Sequence, residues 1–399
     1  LKISSWRAAA TLMEVSTEEV ARGGGEDIDD DARSSAGGLD AEDEDELLPG
    51  LVLVDDGPER QLVAAVGAGS FDGLRGLERL AVPGRGLTRL PERLGELTGL
   101  LELSLQDNQL AVLPDRLGQL VSLRELNVWK NRLTALPESI GDLRELRALR
   151  AWKNRLVSLP DGLGGLEGLR ELRLECNELT SLPESLGRLF ELRELHLWSN
   201  ALEALPDGVG HLVELRELHL EGNRLTRLPR LLHGLAELRL LDASHNHLAS
   251  LPESIGELGE LRCLKLEGNR LVALPESIGH LEQLEELHLG DNLLSAFPER
   301  GGELSQLREL RLERNALTVL PGTFGRLESL SILRLEGNRL VDLPPSMSEL
   351  LQLRELCLLR NEIPALPEFL QHMVEEQGLQ LEHDILPPDR LQLVPAKCS

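Results

Sequence analysis

The sequence predicts an α/β solenoid: a stack of short coils with a parallel β-sheet on the concave face and short helices or helical turns on the convex face. Three observations carry this. Asparagine recurs every 23 residues, from Asn108 through Asn131 and Asn154 to Asn361, twelve times without an insertion, and an unbroken period of that length marks a stacked array. Around each Asn the leucines keep fixed places, first alternating and then spaced as in a helical turn. Aromatic residues are only 2% of the chain and tyrosine is absent, so the core has to be aliphatic.

Taken in order, residues 1–50 read as an acidic disordered tail. Residues 1–60 hold 17 Asp/Glu against 5 Lys/Arg; so charged and apolar-poor a segment cannot offset its ordering entropy. Thr11 to Val20 has the makings of a short helix. Residues 51–76 read as an N-terminal cap plus a decayed repeat. Glu59 to Val66 suits a helix with Leu62, Val63 and Val66 on one side. Phe71 and Leu74 fall 23 residues before the convex leucines Leu94 and Leu97. A cap is needed because the first coil otherwise exposes its leucine face.

Residues 77–375 hold thirteen 23-residue units, the first with Arg85 where Asn is expected. In a unit such as Leu100 to Ser122, the alternation around Leu103 and Leu105 is that of a short strand. Asn108 then ends the strand, where its side chain can bond the backbone groups a turn leaves open. The Leu113-Pro114 step favours extended backbone. Asp115 to Leu120 reads as a helical turn opened by Pro, with an acid in its first turn and a Gly for bending back. Gly301 in a convex leucine position and the doubled Pro344-Pro345 are expected to loosen the outer face. Residues 376–399 read as a C-terminal cap and tail. Ahead of them, Pro367 to Gln377 reads as an amphipathic helix with Phe369, Leu370, Met373 and Val374 on its apolar side. Leu379, Leu381, Ile385 and Leu386 are expected to cover the last coil.

Charge and cysteine usage narrow the function. A formal net charge of −26 disfavours nucleic acid, whose phosphates need a Lys/Arg footprint. No run of 18 apolar residues exists, so no membrane span is expected. Cys263 and Cys357 lie four units apart, roughly 19 Å at ~4.8 Å per strand, too far for a disulfide. That points to a reducing compartment.

No phosphate-loop, zinc-protease, nucleophile-elbow or kinase catalytic-loop motif occurs, and Cys176 has no His in reach. His196 and His219 share one column of adjacent units with Glu194, Glu217 and Glu221 nearby. That arrangement permits a metal site on paper, but polar tolerance of an outward column is the favoured reading. The expectation is no catalytic residue, no cofactor and no metal.

What varies from coil to coil is the outward strand face. Between the two strand leucines stand Arg150, Arg173, His196 and His219; before them stands a mostly acidic column. After them stand Trp129, Trp152, Glu175 and Trp198. Three of the four tryptophans thus fall in one column, with Lys130 and Lys153 directly following two of them. Aromatics on an outward groove dominate partner binding where they occur, against the plainer reading that they stack on one another and shield the sheet. The ten residues Trp129, Lys130, Arg150, Trp152, Lys153, Arg173, Glu175, His196, Trp198 and His219 are the candidate partner-binding set. The acidic tail is a candidate occupant of the same groove.

The unit L-x-x-L-x-L-x-x-N-x-L-x-x-L-P-x-x-L-G-x-L-x-x resembles the leucine-rich repeat. With L-P-x-x-[LI]-G-x-L in nearly every unit and no cysteine caps, it is similar to the intracellular Ras-group repeats of Ras-scaffold and Ras-suppressor proteins and their plant relatives. The resemblance implies a monomeric, non-enzymatic cytoplasmic signalling adaptor. Its partners would be proteins such as a small GTPase, a phosphatase subunit or a kinase. The rival expectation, prompted by a chain that opens at Leu1 with its first Met at Met13, is the substrate-targeting region of a larger kinase, GTPase or ubiquitin ligase.

Overall fold

The computed structural model describes residues 57–384. The acidic tail, the Thr11 to Val20 helix, Ile385 and Leu386 all lie outside them. The described residues form one open sheet of fourteen strands in sequence order, every neighbouring pair parallel. The N-terminal half runs through β1 (Arg79–Ala81), β2 (Glu102–Ser104), β3 (Glu125–Asn127), β4 (Ala148–Arg150), β5 (Glu171–Arg173), β6 (Glu194–His196) and β7 (Glu217–His219). It continues as β8 (Leu240–Asp242), β9 (Cys263–Lys265), β10 (Glu286–His288), β11 (Glu309–Arg311), β12 (Ile332–Arg334), β13 (Glu355–Cys357) and β14 (Gln380–Glu382).

Each strand is three residues, x-L-x, although the alternation runs on through the second leucine, such as the buried Leu105. The central leucine is buried and its flanks face outward, as in Glu102-Leu103-Ser104. The register advances by one unit per strand, Arg79 opposite Glu102 and Glu286 opposite Glu309, so equivalent residues stand side by side in columns. The fourteenth strand was not evident in the sequence. It pairs Glu355 with Gln380, two residues beyond the regular step, because an α-helix replaces the shorter convex turn there.

The asparagines tie coil to coil. Asn131 Nδ2 donates to Leu105 O of the preceding coil at 3.0 Å and to Val128 O of its own at 2.9 Å, while Oδ1 accepts from Leu110 N at 3.0 Å. Buried backbone groups without a partner cost about 1–3 kcal/mol each, and this side chain satisfies them in the twelve coils from Asn108 to Asn361. Just before each Asn the backbone turns through the left-handed region, occupied by Asp107, Lys130 and Lys153 as readily as by Gly222.

On the other face the turn of Leu232–Gly234 is three residues long and starts after Leu231. In every other coil from Pro91 to Pro344 a Pro caps a five-residue 3₁₀ turn, such as Glu92–Glu96 after Pro91. The glycine in it has a different reason from the expected bend. A Cβ on Gly164 would stand 2.6 Å from the Ser185 carbonyl oxygen of the next coil, so Gly is required for neighbouring turns to pack. Nor does Gly301 loosen the outer face. The Phe297 ring occupies the space a side chain there would need, lying edge-on to Phe324 at 5.7 Å. Pro345 sits in the first turn of its 3₁₀ segment, where its missing N–H costs nothing, and Met347 beneath it is fully buried.

The ends are closed by helices. In α1 (Pro58–Val66) Leu62 is fully buried and Val63 and Val66 pack against the core, with Phe71 and Leu74 beneath. Arg93 fastens this cap: it lies over the Phe71 ring at 4.6 Å and pairs with Glu59 at 2.9 Å. At the other end α2 (Glu368–Gln377) buries Leu370 and Met373, and Leu379 follows. Val374 turns outward instead, 40% exposed. No described helix is long and apolar enough to cross a membrane.

Candidate protein-binding surface

The columns of the sheet face converge on β3 to β7. Because parallel neighbours lie about 4.8 Å apart, equal planar residues in one column fall face to face. Trp129 and Trp152 do so, with ring centroids 4.3 Å apart and 6° between planes. Stacking leaves each half-buried, so the pair offers one aromatic ledge rather than two free rings. Trp198 stands in the same column but is separated from them by Glu175.

The cations around the ledge are largely paired. Arg150 grips Glu171 through Nε at 2.9 Å and Nη2 at 2.6 Å and reaches Glu125 at 3.2 Å. Arg173 approaches Glu171 at 2.9 Å, off the hydrogen-bonding direction. Lys130 pairs with Asp107 at 2.9 Å. Lys153 instead lies 5.1 Å from the Trp152 ring centroid, a cation–π contact. The expected basic stripe is therefore mostly neutralised by its own acidic flank, as alternating columns favour.

The interior of the column is also less exposed than the alternation implies. Glu175 is 4% exposed and its Oε2 has no hydrogen-bond partner. Burial pushes its carboxyl up to about 7, against the opposing pull of its own backbone N–H and Arg173. His196 is 9% exposed, stacked on His219 with centroids 4.3 Å apart and 9° between planes. Burial, then His219 and Arg173, push its imidazole down to about 3, so it is neutral at physiological pH. In both cases broad neighbours on adjacent strands close over a side chain that points away from the leucine core.

Two further residues belong to the patch. Arg132 and Arg155 are exposed and make no ion pair among the described residues. They complete a tetrapeptide, Trp-Lys-Asn-Arg, that occurs at Trp129–Arg132 and again one coil later at Trp152–Arg155. That tandem was the signal for them in the sequence. Stacked in register, it sets one aromatic ledge beside four cations in two coils.

The same face shows how little covalent chemistry the cysteines offer. Burial pushes Cys263 up to about 12 and Cys357 to about 11, and raises Cys176 as well, whereas a nucleophilic thiol needs a depressed value. A metal-ligating arrangement does exist: donor atoms of His196, Glu217 and His219 lie within 4.8 Å of one another.

Comparison with known proteins agrees with the architecture. A model described as a leucine-rich repeat region matches residues 88–207 and 204–299, and one described as leucine rich repeat matches 300–340. No curated protein matches the chain. Among solved structures, a leucine-rich repeat protein of Leptospira interrogans is 33% identical with a TM-score of 0.63, over 77% of this chain and 84% of that one. The plant peptide hormone receptor RGFR1, in complex with RGF2, is 29% identical with a TM-score of 0.65, over 79% of this chain and 57% of the receptor. The Drosophila Toll–Spatzle complex is 28% identical with a TM-score of 0.70, the match covering 79% of this chain and 45% of that one.

Proposed function

The chain belongs to the leucine-rich repeat family, and from that premise we propose that it is a non-enzymatic scaffold that captures a partner protein on the sheet face of its N-terminal half. The fold generally serves protein–protein interaction, and two of the similar structures are complexes, with RGF2 and with Spatzle. The single observation that carries the placement is the stacked Trp129–Trp152 ledge with Lys153 against it and the exposed Arg132 and Arg155 in the same two coils. Elsewhere on the strand columns the large outward apolar residues, Trp198, Leu240, Ile332 and Leu359, form no stacked aromatic pair. A rigid aromatic pair edged by cations is the composition that concentrates binding energy.

The exposed pairs nearby hold the ledge open at little cost. Such bridges are worth only ~0–1 kcal/mol, so an incoming carboxylate can exchange for Asp107 at Lys130. Ras-group similarity favours an intracellular signalling partner such as a small GTPase, a phosphatase subunit or a kinase. The free thiols of Cys176, Cys263 and Cys357 support a reducing, cytoplasmic setting.

The test is a double substitution, Trp129→Ala with Trp152→Ala. Both rings lie outside the leucine core, so the thermal melt should stay where it is while the partner recovered by the wild-type array is lost. An unchanged recovery profile overturns the placement.

A further inference from the structure

We propose that Glu194, His196, Glu217 and His219 form a binding site for a divalent transition-metal ion, with Zn²⁺ as the fitting case. Strands β6 and β7 pair with Glu194 opposite Glu217 and His196 opposite His219. Two carboxylates and two imidazoles therefore occupy the corners of one square on the sheet face. Tetrahedral zinc at about 2.0–2.2 Å from each donor needs donors roughly 3.3 Å apart. His219 Nε2 already stands 3.3 Å from Glu217 Oε2, and His196 Nε2 3.7 Å from Glu194 Oε2. The stacked rings have parallel lone pairs, so closure onto one ion needs the rings to tilt toward each other. His219, half-buried at the open side, has the room to do so.

Two features make this square suited to a cation. His196 Nε2 is buried without any hydrogen-bond partner, in a residue only 9% exposed, and it faces the Glu194 carboxylate. A buried polar atom in that state is normally satisfied. Further, Glu194 and Glu217 pair with no Lys or Arg among the described residues. Their column neighbours Glu125 and Glu171 pair with Arg150, and Glu355 pairs with Arg334. Like charges directly opposite on neighbouring strands repel, and a shared divalent ion relieves this.

The molecule supplies its own contrast. His288 is also buried and its Nε2 likewise lacks a hydrogen-bond partner, but its column neighbours are Lys265 and Arg311, and its Nδ1 bonds Glu267 at 2.9 Å. Cations on both sides make that position unfit for a metal.

The test uses the full chain, stripped with a chelator and titrated with Zn²⁺ by calorimetry and with Co²⁺ by visible absorption. The expected result is one equivalent bound, with intense tetrahedral Co²⁺ bands and a thermal melt that rises with Zn²⁺. His219→Gln and His196→Gln should each weaken binding by more than about tenfold and abolish the bands, while His288→Gln leaves both intact. His219 is half-buried, so its variant should keep the metal-free melt and report binding alone. Weak binding at many equivalents, without tetrahedral bands and unchanged by His219→Gln, means only diffuse attraction to an acidic chain and overturns the site.

Discussion

Glu175→Gln tests the interior of the proposed surface through its own acid chemistry. The Glu175 carboxyl is 4% exposed, sits between the Trp152 and Trp198 coils, and is pushed up from 4.5 to about 7, chiefly by burial. A folded value above the unfolded one means the folded state holds the proton more tightly. Stability therefore falls as pH rises from about 4.5 to about 7 and levels off beyond. At about 1.4 kcal/mol per pH unit, the full window corresponds to about 3 kcal/mol at most. Gln keeps the shape and cannot ionise, so the variant should match the wild type near pH 4.5 and exceed it by up to about 3 kcal/mol near pH 8.5. The assay is urea unfolding of both proteins across that range, with equal slopes so that midpoints report stability. A difference that stays constant with pH, or a wild type that gains on the variant as pH rises, refutes the reasoning.

Two further substitutions probe the scaffold. Asn154→Ala orphans the Leu133 N–H, while Val128 O and Ala151 O each keep a second donor in Asn131 and Asn177. The loss should be about 2–4 kcal/mol, with hydrogen exchange speeding up around β3 and β4 and not around β11; a loss under about 1 kcal/mol contradicts the ladder's role. Gly164→Ala forces a methyl group toward the Ser185 carbonyl oxygen at 2.6 Å and should cost about 1–3 kcal/mol, read as a lowered melting temperature. An unaltered melt would show that the convex turns have slack.

The fold was legible because a 23-residue period repeats one local code, and every coil reinforces the same register. Leu103, Asn108 and Pro114 alone announce strand, turn and convex segment. The terminal strand β14 escaped because Gln380–Glu382 carries no repeat and is recruited only by pairing with β13. Gly301 misled for a related reason: its compensation, the Phe297 ring, belongs to another position of the same coil, and single-column reading misses it. The patch was half legible. The tryptophan column and its lysines stand out in sequence, but alternation says only which way a side chain points. It does not say that Trp129 and Trp152 close on one another, that His219 covers His196, or that Glu171 serves both Arg150 and Arg173. Those outcomes depend on side-chain size at about 4.8 Å spacing, which is a property of neighbours rather than of single positions.

Lysine labelling tests the central claim most directly, because the sheet face carries reporters at both places. Lys130 and Lys153 flank the tryptophan ledge, and Lys265 on β9 lies farther along the same face. Labelling the array with and without its captured partner should show Lys130 and Lys153 protected in the complex while Lys265 stays as reactive as in the free protein. Protection of Lys265 with Lys130 and Lys153 still reactive would move the partner off the ledge and contradict the account.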